Sequence, residues 1–222
     1  GAARRIAAGS ERMTSVRRAD TPHTRGDFLT ADGVLVVTRP TPLPPPPAQG
    51  QPIAVSGNPA EGDEILLAVW DDGSVTALHG HVDLGTGIRT ALAQIAAEEL
   101  DIPLGDLNMV LGDTARVPNQ GGTIASASIQ IHAAPLRAAA AQARAWLLAQ
   151  AALRLGVPAD ALRIEAGVVQ LREDDGRRLP LGQLVAGQRT VLSLDTSTPT
   201  KSVADYRLVG TRQPRVDIPA KL

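Results

Sequence analysis

The stretch Gly80-His81-Val82-Asp83-Leu84-Gly85-Thr86-Gly87-Ile88-Arg89-Thr90 constrains this chain most, because it sets a Gly-Thr-Gly turn between strand-like and strongly helical sequence. Upstream, Glu64 to Trp70 and Ser74 to His79 read as two strands joined by a turn containing Asp72-Gly73. Downstream, Thr90 to Leu100 places Leu92, Ile95, Ala96 and Leu100 near one helical face, and Asp101-Ile102-Pro103 ends the helix. At such a junction the first-turn amides lack intrahelical partners, the helix dipole is positive, and glycine lets a ligand approach the backbone. An anionic or strongly polar cofactor would fit there. Two glycines that merely make a tight turn are the plainer reading of the same residues.

A second unit has the same form. Leu107 to Leu111 reads as a strand, followed by Gly112-Asp113-Thr114 and by the polar run Pro118-Asn119-Gln120-Gly121-Gly122-Thr123-Ile124-Ala125-Ser126-Ala127-Ser128-Ile129-Gln130, which enters a helix. A fold that packs the two strands side by side would bring two loops rich in amides and hydroxyls together.

These residues resemble the cofactor-binding part of the molybdenum hydroxylases, the xanthine dehydrogenase and aldehyde oxidase family. The likeness is to the bacterial branch of isoquinoline 1-oxidoreductase and nicotinate dehydrogenase-like large subunits. In that family a Gly-Gln-Gly loop precedes an Ala-Glu-Glu-Leu helix, a strand, an Asp-Thr and a Thr-Ala-Ser-Ser-like loop. Here Gly85-Thr86-Gly87, Ala97-Glu98-Glu99-Leu100, Asp113-Thr114 and Thr123-Ile124-Ala125-Ser126-Ala127-Ser128 follow in that order, and the match runs from about Ile65 to Leu155.

The resemblance implies an α+β fold, a mixed sheet with packed helices, that binds the molybdenum cofactor (molybdopterin), in the cytosine dinucleotide form usual in bacterial relatives or in the plain form. It places Gly85, Thr86 and Gly87 toward the metal end or the pterin, and Thr123, Ala125, Ser126, Ala127, Ser128 and Gln130 along the pterin or its diphosphate. It implies no protein side chain as metal ligand, because the pterin dithiolene holds the molybdenum. Thr86 stands where the family has Gln, and its shorter hydroxyl would reach an oxo ligand of the metal only through water. Near the end, Tyr206-Arg207-Leu208-Val209-Gly210 and Pro214-Arg215-Val216-Asp217 resemble the segment leading into the next domain. The family's Phe-Gly-Gly loop, its substrate pocket and its catalytic Glu have no counterpart in these 222 residues. The expectation is therefore a natural subunit or a fragment whose larger partner chain carries the rest of the active site. The reaction implied is hydroxylation of an aldehyde or aromatic N-heterocycle with oxygen derived from water. The alternative is a non-catalytic assembly module descended from the same family.

Bulk properties narrow the classes further. Only 2% of residues are aromatic, so a core must be built from Ala, Leu, Val and Ile, and platforms for stacking nucleic-acid bases are missing. A net charge of -1 gives no basic field for phosphate backbones. With no cysteine, the chain offers no thiolate to an iron-sulfur cluster, so any such cluster belongs to a partner subunit. No apolar run reaches the ~18 residues of a membrane span.

The remainder divides into an N-terminal arm with a proline-rich strap (1–60), the cofactor-binding domain (61–194) and an extended tail packing on a partner or leading toward it (195–222). His23 to Leu29 with Gly33 to Val37 faintly resembles a twin-arginine export signal, but Gly26 occupies the place of the second arginine. A cytoplasmic location is expected, with a periplasmic one as alternative. Otherwise Phe28 to Val37 reads as an extended arm against the partner, joined to the domain by the stiff run from Pro40 to Pro47. Ile124 to Leu155 reads as an alanine-rich helix broken or kinked at Pro135, with Leu136, Ala140, Ala143, Leu147 and Ala151 as its apolar stripe. Leu162 to Leu171 reads as a hairpin about Ala166-Gly167, and Gly182-Gln183-Leu184 starts a small helix. Of four histidines, His79 and His81 are close enough in sequence to share a metal, but no further ligands stand nearby.

Overall fold

The run Glu64 to Trp70 is buried at every position, which demands cover on both faces of the sheet it joins. The computed structural model, which describes residues 17–42, 62–173 and 176–215, supplies that cover. In chain order its helices and strands are α1 (Arg25–Thr30), β1 (Val34–Arg39), β2 (Glu64–Trp70), β3 (Val75–His79), α2 (Ile88–Leu100), β4 (Leu107–Leu111), α3 (Ala127–Gln130), α4 (Ala133–Leu155), β5 (Leu162–Glu165), β6 (Val168–Leu171), β7 (Arg178–Pro180), α5 (Leu181–Val185) and β8 (Arg189–Ser193). The main sheet has the order β4-β3-β2-β1-β8, and β5-β6-β7 form a smaller one. β2 is antiparallel to β1 and β3, whereas β3–β4 and β1–β8 are parallel. This is the mixed-sheet α+β architecture expected.

One face of the main sheet (Leu35, Val37, Leu67, Val69, Val75, Ala77) packs under α2 and α4, through Leu92, Ala96 and Leu100 of the first and Leu136, Ala140, Ala143, Leu147 and Ala151 of the second. The alanines let the two helices sit close together and close to the sheet. The opposite face (Val34, Val36, Ala68, Trp70, Leu78, Val110) is closed by Phe28 of α1 and by Ala19. There Phe28 and Trp70 lie with ring centroids 5.8 Å apart, and Trp70 Nε1 donates to Thr76 Oγ1 (3.0 Å).

Three expectations need correction. The segment 28–37 is no arm against a partner: α1 opens with a Thr24/Asp27 capping box, and β1 lies inside the sheet between β2 and β8. Val34 to Val37 present apolar side chains on both faces, and the chain's own elements cover both. The same residues would be the apolar run of an export signal; in the fold they are core. The span 124–155 is broken, but at Ile131–His132 between α3 and α4 and not at Pro135 itself, which lies in the first turn of α4, where a proline removes only an amide that has no intrahelical partner. The tail does not leave for a neighbour over its described part, since residues 201–211 bond to α2 and α4 of the same chain. The arm before residue 17, the strap from Leu43 to Pro47 and the end of the tail from Val216 lie outside the described residues.

Candidate cofactor site

Because β3 and β4 run parallel with His79 opposite Leu111, the loops that follow them leave the same end of the sheet. The amide of Gly112 donates to the His79 carbonyl (3.1 Å) and ties their origins. Gly80 brings the backbones into contact: a Cβ at that position would lie 2.1 Å from the Pro118 carbonyl oxygen. Gln120 Oε1 accepts from the Gly80 amide (3.0 Å), and Thr123 Oγ1 accepts from the Val82 amide (3.0 Å).

His81 completes this stitching. It is 1% exposed, and its ring meets Ser128 Oγ through Nδ1 (2.8 Å) and the Gln120 carbonyl through Nε2 (3.1 Å). A carbonyl only accepts, so Nε2 carries the proton, and in the neutral ring Nδ1 accepts from the Ser128 hydroxyl. His79, His81 and His132 stand edge-on to one another, with centroids 4.8 to 5.9 Å apart. The His81 amide donates to His79 Nδ1 (3.1 Å), and His79 Nε2 is buried with no hydrogen-bond partner among the described residues. Burial, followed by the neighbouring His81 and His132, pushes His79 down to about 3. Burial and then His81 push His132 down to about 4. Both rings are neutral near pH 7. Among the described residues no group of His, Cys, Asp or Glu is placed to hold a metal ion.

The amides of the glycine loop are not free, contrary to expectation. Asp83 Oδ1 accepts from the amides of Gly85 (2.9 Å) and Gly87 (3.2 Å), and Oδ2 from that of Arg89 (3.2 Å). The start of α2 is therefore already complemented by a carboxylate of the chain itself, in the place where an anion would otherwise bind. Gly85 and Gly87 have φ of 92° and 78°, a region glycine enters without steric cost. Their role is to wrap the loop around Asp83, and Thr86 is left exposed at its tip.

In the second loop Ala125 and Ser126 are consecutive residues in the left-handed region, with φ of 52° and 58°. Strained backbone of this kind costs of order 1 kcal/mol or more per residue and clusters at functional sites. Ser126 and Gln130 are exposed, Ala127 is half-buried, and Ser128 is buried with its hydroxyl proton committed to His81. Thr123 accepts from Val82 and keeps its own proton to donate. The structure thus brings Thr123 and Ser126 on one loop, with Gln130 at the end of α3, beside the loop of Thr86, while Ser128 acts inward. Asp83, His81, Gln120 and Arg215, whose guanidinium reaches the Gly85 carbonyl, are not evident from sequence reasoning. Only Asp83, two residues before a glycine turn, carries a local signal for such backbone capping.

Residues 32–215 match the family model described as molybdopterin cofactor-binding domain. The chain belongs to that family. Among relatives of the molybdopterin-binding domain, it is 52% identical over 198 residues to a nicotinate dehydrogenase subunit of Pseudomonas putida, an alignment covering 89% of this chain and 16% of that protein. It is 41% identical over 69 residues to xanthine dehydrogenase of Oryza sativa subsp. japonica, covering 31% of this chain and 5% of that protein. Quinoline 2-oxidoreductase from Pseudomonas putida 86 is similar at 28% identity and a TM-score of 0.47, over 53% of this chain and 15% of that one. The chain spans about a sixth of the length of the nicotinate dehydrogenase subunit. The matched range contains both loops, from Gly85-Thr86-Gly87 to Ser128. The hydroxyls of Thr86, Thr123 and Ser126 and the Gln130 amide are groups able to donate hydrogen bonds.

Proposed function

We propose that this chain forms one wall of the molybdenum-cofactor site of a multi-subunit hydroxylase that oxidises an aldehyde or an aromatic N-heterocycle, a nicotinate-like ring being the first to test. The pairing of two loops at the ends of parallel β3 and β4, locked by buried His81, is the observation that carries this reading. When bound, the cofactor supplies a redox-active molybdenum centre that delivers water-derived oxygen to an electron-poor carbon.

The contribution of this chain is to bind and orient. Thr123, Ser126 and Gln130 donate toward the pterin or its diphosphate, and Thr86, at the loop tip, offers its hydroxyl toward the metal end. Ser128 and His81 keep the second loop in register, and Ala125 and Ala127 shape its turn. Gly85 and Gly87 set the curvature that presents Thr86. The cytosine dinucleotide form of the cofactor, the catalytic Glu on a larger molybdenum-subunit chain, and iron-sulfur clusters on a separate subunit complete the reading, since this chain has no cysteine to hold a cluster. A cytoplasmic site of action goes with it.

Purification from the native host under mild conditions, with metal analysis, pterin fluorescence and nucleotide release, tests it. Molybdenum and a cytosine nucleotide co-eluting with larger and cysteine-rich chains are expected, as is heavy oxygen from labelled water in the hydroxylated product. A preparation with neither molybdenum nor pterin returns the chain to the assembly-module alternative.

A further inference from the structure

The Ala-Glu-Glu-Leu motif of α2 and the Pro214-Arg215 step of the tail have no part in the clasp between the two loops, yet the fold connects them. Glu98 Oε2 accepts from three successive tail amides, those of Arg207 (2.9 Å), Leu208 (2.5 Å) and Val209 (2.9 Å). Its other oxygen accepts from Lys201 Nζ (2.9 Å), which also reaches Asp101 (2.5 Å). Glu99 is fully buried, pairs with Arg137 (2.7 Å), and takes the Lys201 amide. Gln94 adds bonds to the carbonyls of Leu208 and Thr211. Residues 201–211 are thereby strapped along α2 in the direction of its N-terminus, and the strap ends on the glycine loop. There Arg215 Nη1 donates to the Gly85 carbonyl (2.9 Å), 130 residues away in sequence. The stem of Arg215 lies over Gly87, where an added Cβ would meet Cδ and Nε at 3.6 Å.

From this geometry we infer that Arg215 is a positioning residue for the Gly85-Thr86-Gly87 loop, delivered there by a tail strap that Glu98 anchors. The inference rests on the cofactor reading of that loop for its use, but not for its physics. Asp83 gathers the loop from within through three amides, which leaves the outward Gly85 carbonyl as the handle. A guanidinium bond to a carbonyl is charge-assisted and stronger than a neutral one. The stem of Arg215 packs on the turn at Gly87, while Gly85 and Thr86 stay exposed. The tail up to Arg215 is thereby tied to the Gly85-Thr86-Gly87 loop through the Arg215–Gly85 bond.

Hydrogen exchange by mass spectrometry on the native protein and on R215A, R215K and E98Q tests this, with molybdenum and pterin content measured on the same samples. In R215A the amides of residues 84–89 should exchange roughly ten-fold faster, the loss expected for one charge-assisted bond, while α4 stays protected. R215K, which retains a donor, should recover part of that protection. E98Q should expose residues 207–211 and the glycine loop together. Unchanged protection of 84–89 in R215A, or a uniform loss across the whole domain, overturns the inference. A loosened loop with undiminished cofactor content supports the strap and instead counts against the cofactor reading of Gly85-Thr86-Gly87.

Discussion

Asp83 satisfies three amides that a glycine turn of this shape would otherwise offer to a ligand. Asp83→Ala should loosen the turn and destabilise the protein by about 1–3 kcal/mol, the scale of hydrogen bonds to a charged group, measured by urea denaturation. The left-handed Ala125 predicts the opposite sign. Ala125→Gly relieves a steric cost of about 1 kcal/mol and should raise stability while weakening cofactor retention, read from melting temperature and molybdenum content together. The buried histidines set an acid limit. His79 is held at about 3 against an ordinary 6.5, and His132 at about 4, so the native state refuses protons that the unfolded chain accepts below pH 6.5. Their stabilising contribution is complete above that value and is lost as the pH falls through 6.5 toward 3, with a slope approaching about 1.4 kcal/mol per pH unit for each ring. His79→Phe should flatten this part of a stability-versus-pH curve.

Elements made of local sequence are readable from their own residues. The β2–β3 hairpin turns on Asp72-Gly73, α2 carries its own stripe and ends at Asp101-Ile102-Pro103, and the stripe of α4 is buried at every predicted position. What escapes such reading depends on partners distant in sequence. β1 looks like an arm until β8 pairs with it, Val34 opposite Arg189, and the tail looks unattached because it is held by carboxylates and backbone rather than by an apolar stripe. The amides of the glycine loop look free because Asp83 caps them through side-chain geometry that no periodicity reveals. The candidate loops themselves are legible by residue type, whereas their clasp is not, since nothing in the spacing of His81, Gln120 and Ser128 requires them to meet. At this scale Gly80 is the closest approach of the two loops. Gly80→Ala would drive a methyl against the Pro118 carbonyl and should part them, lowering stability by about 1–3 kcal/mol, as overpacking does, and lowering cofactor content further than the melting temperature alone would predict.

Across the whole molecule, the two carboxylates of α2 bind the tail to the body. Burial alone would raise Glu98, but the Lys201 ammonium and the amides of Leu208, Val209 and Arg207 override it and hold the carboxyl at about 2. Its contribution is complete above its ordinary 4.5 and is lost as the pH falls from there toward 2. A chain ending after Leu194 would strip Glu98 of Lys201 and the three tail amides, leave Glu99 to Arg137 and Arg144, and should melt well below the full chain, its acid transition moved to higher pH. The parallel pairing of β1 with β8 has a consequence in time as well as in space. A ribosome delivers Val34 to Val37 long before Arg189 to Ser193, so throughout synthesis one edge of an apolar strand awaits its neighbour. The slow step of the domain's folding should therefore be the arrival and docking of β8, checked by whether hydrogen-exchange protection of residues 34–38 during refolding appears together with that of 189–193.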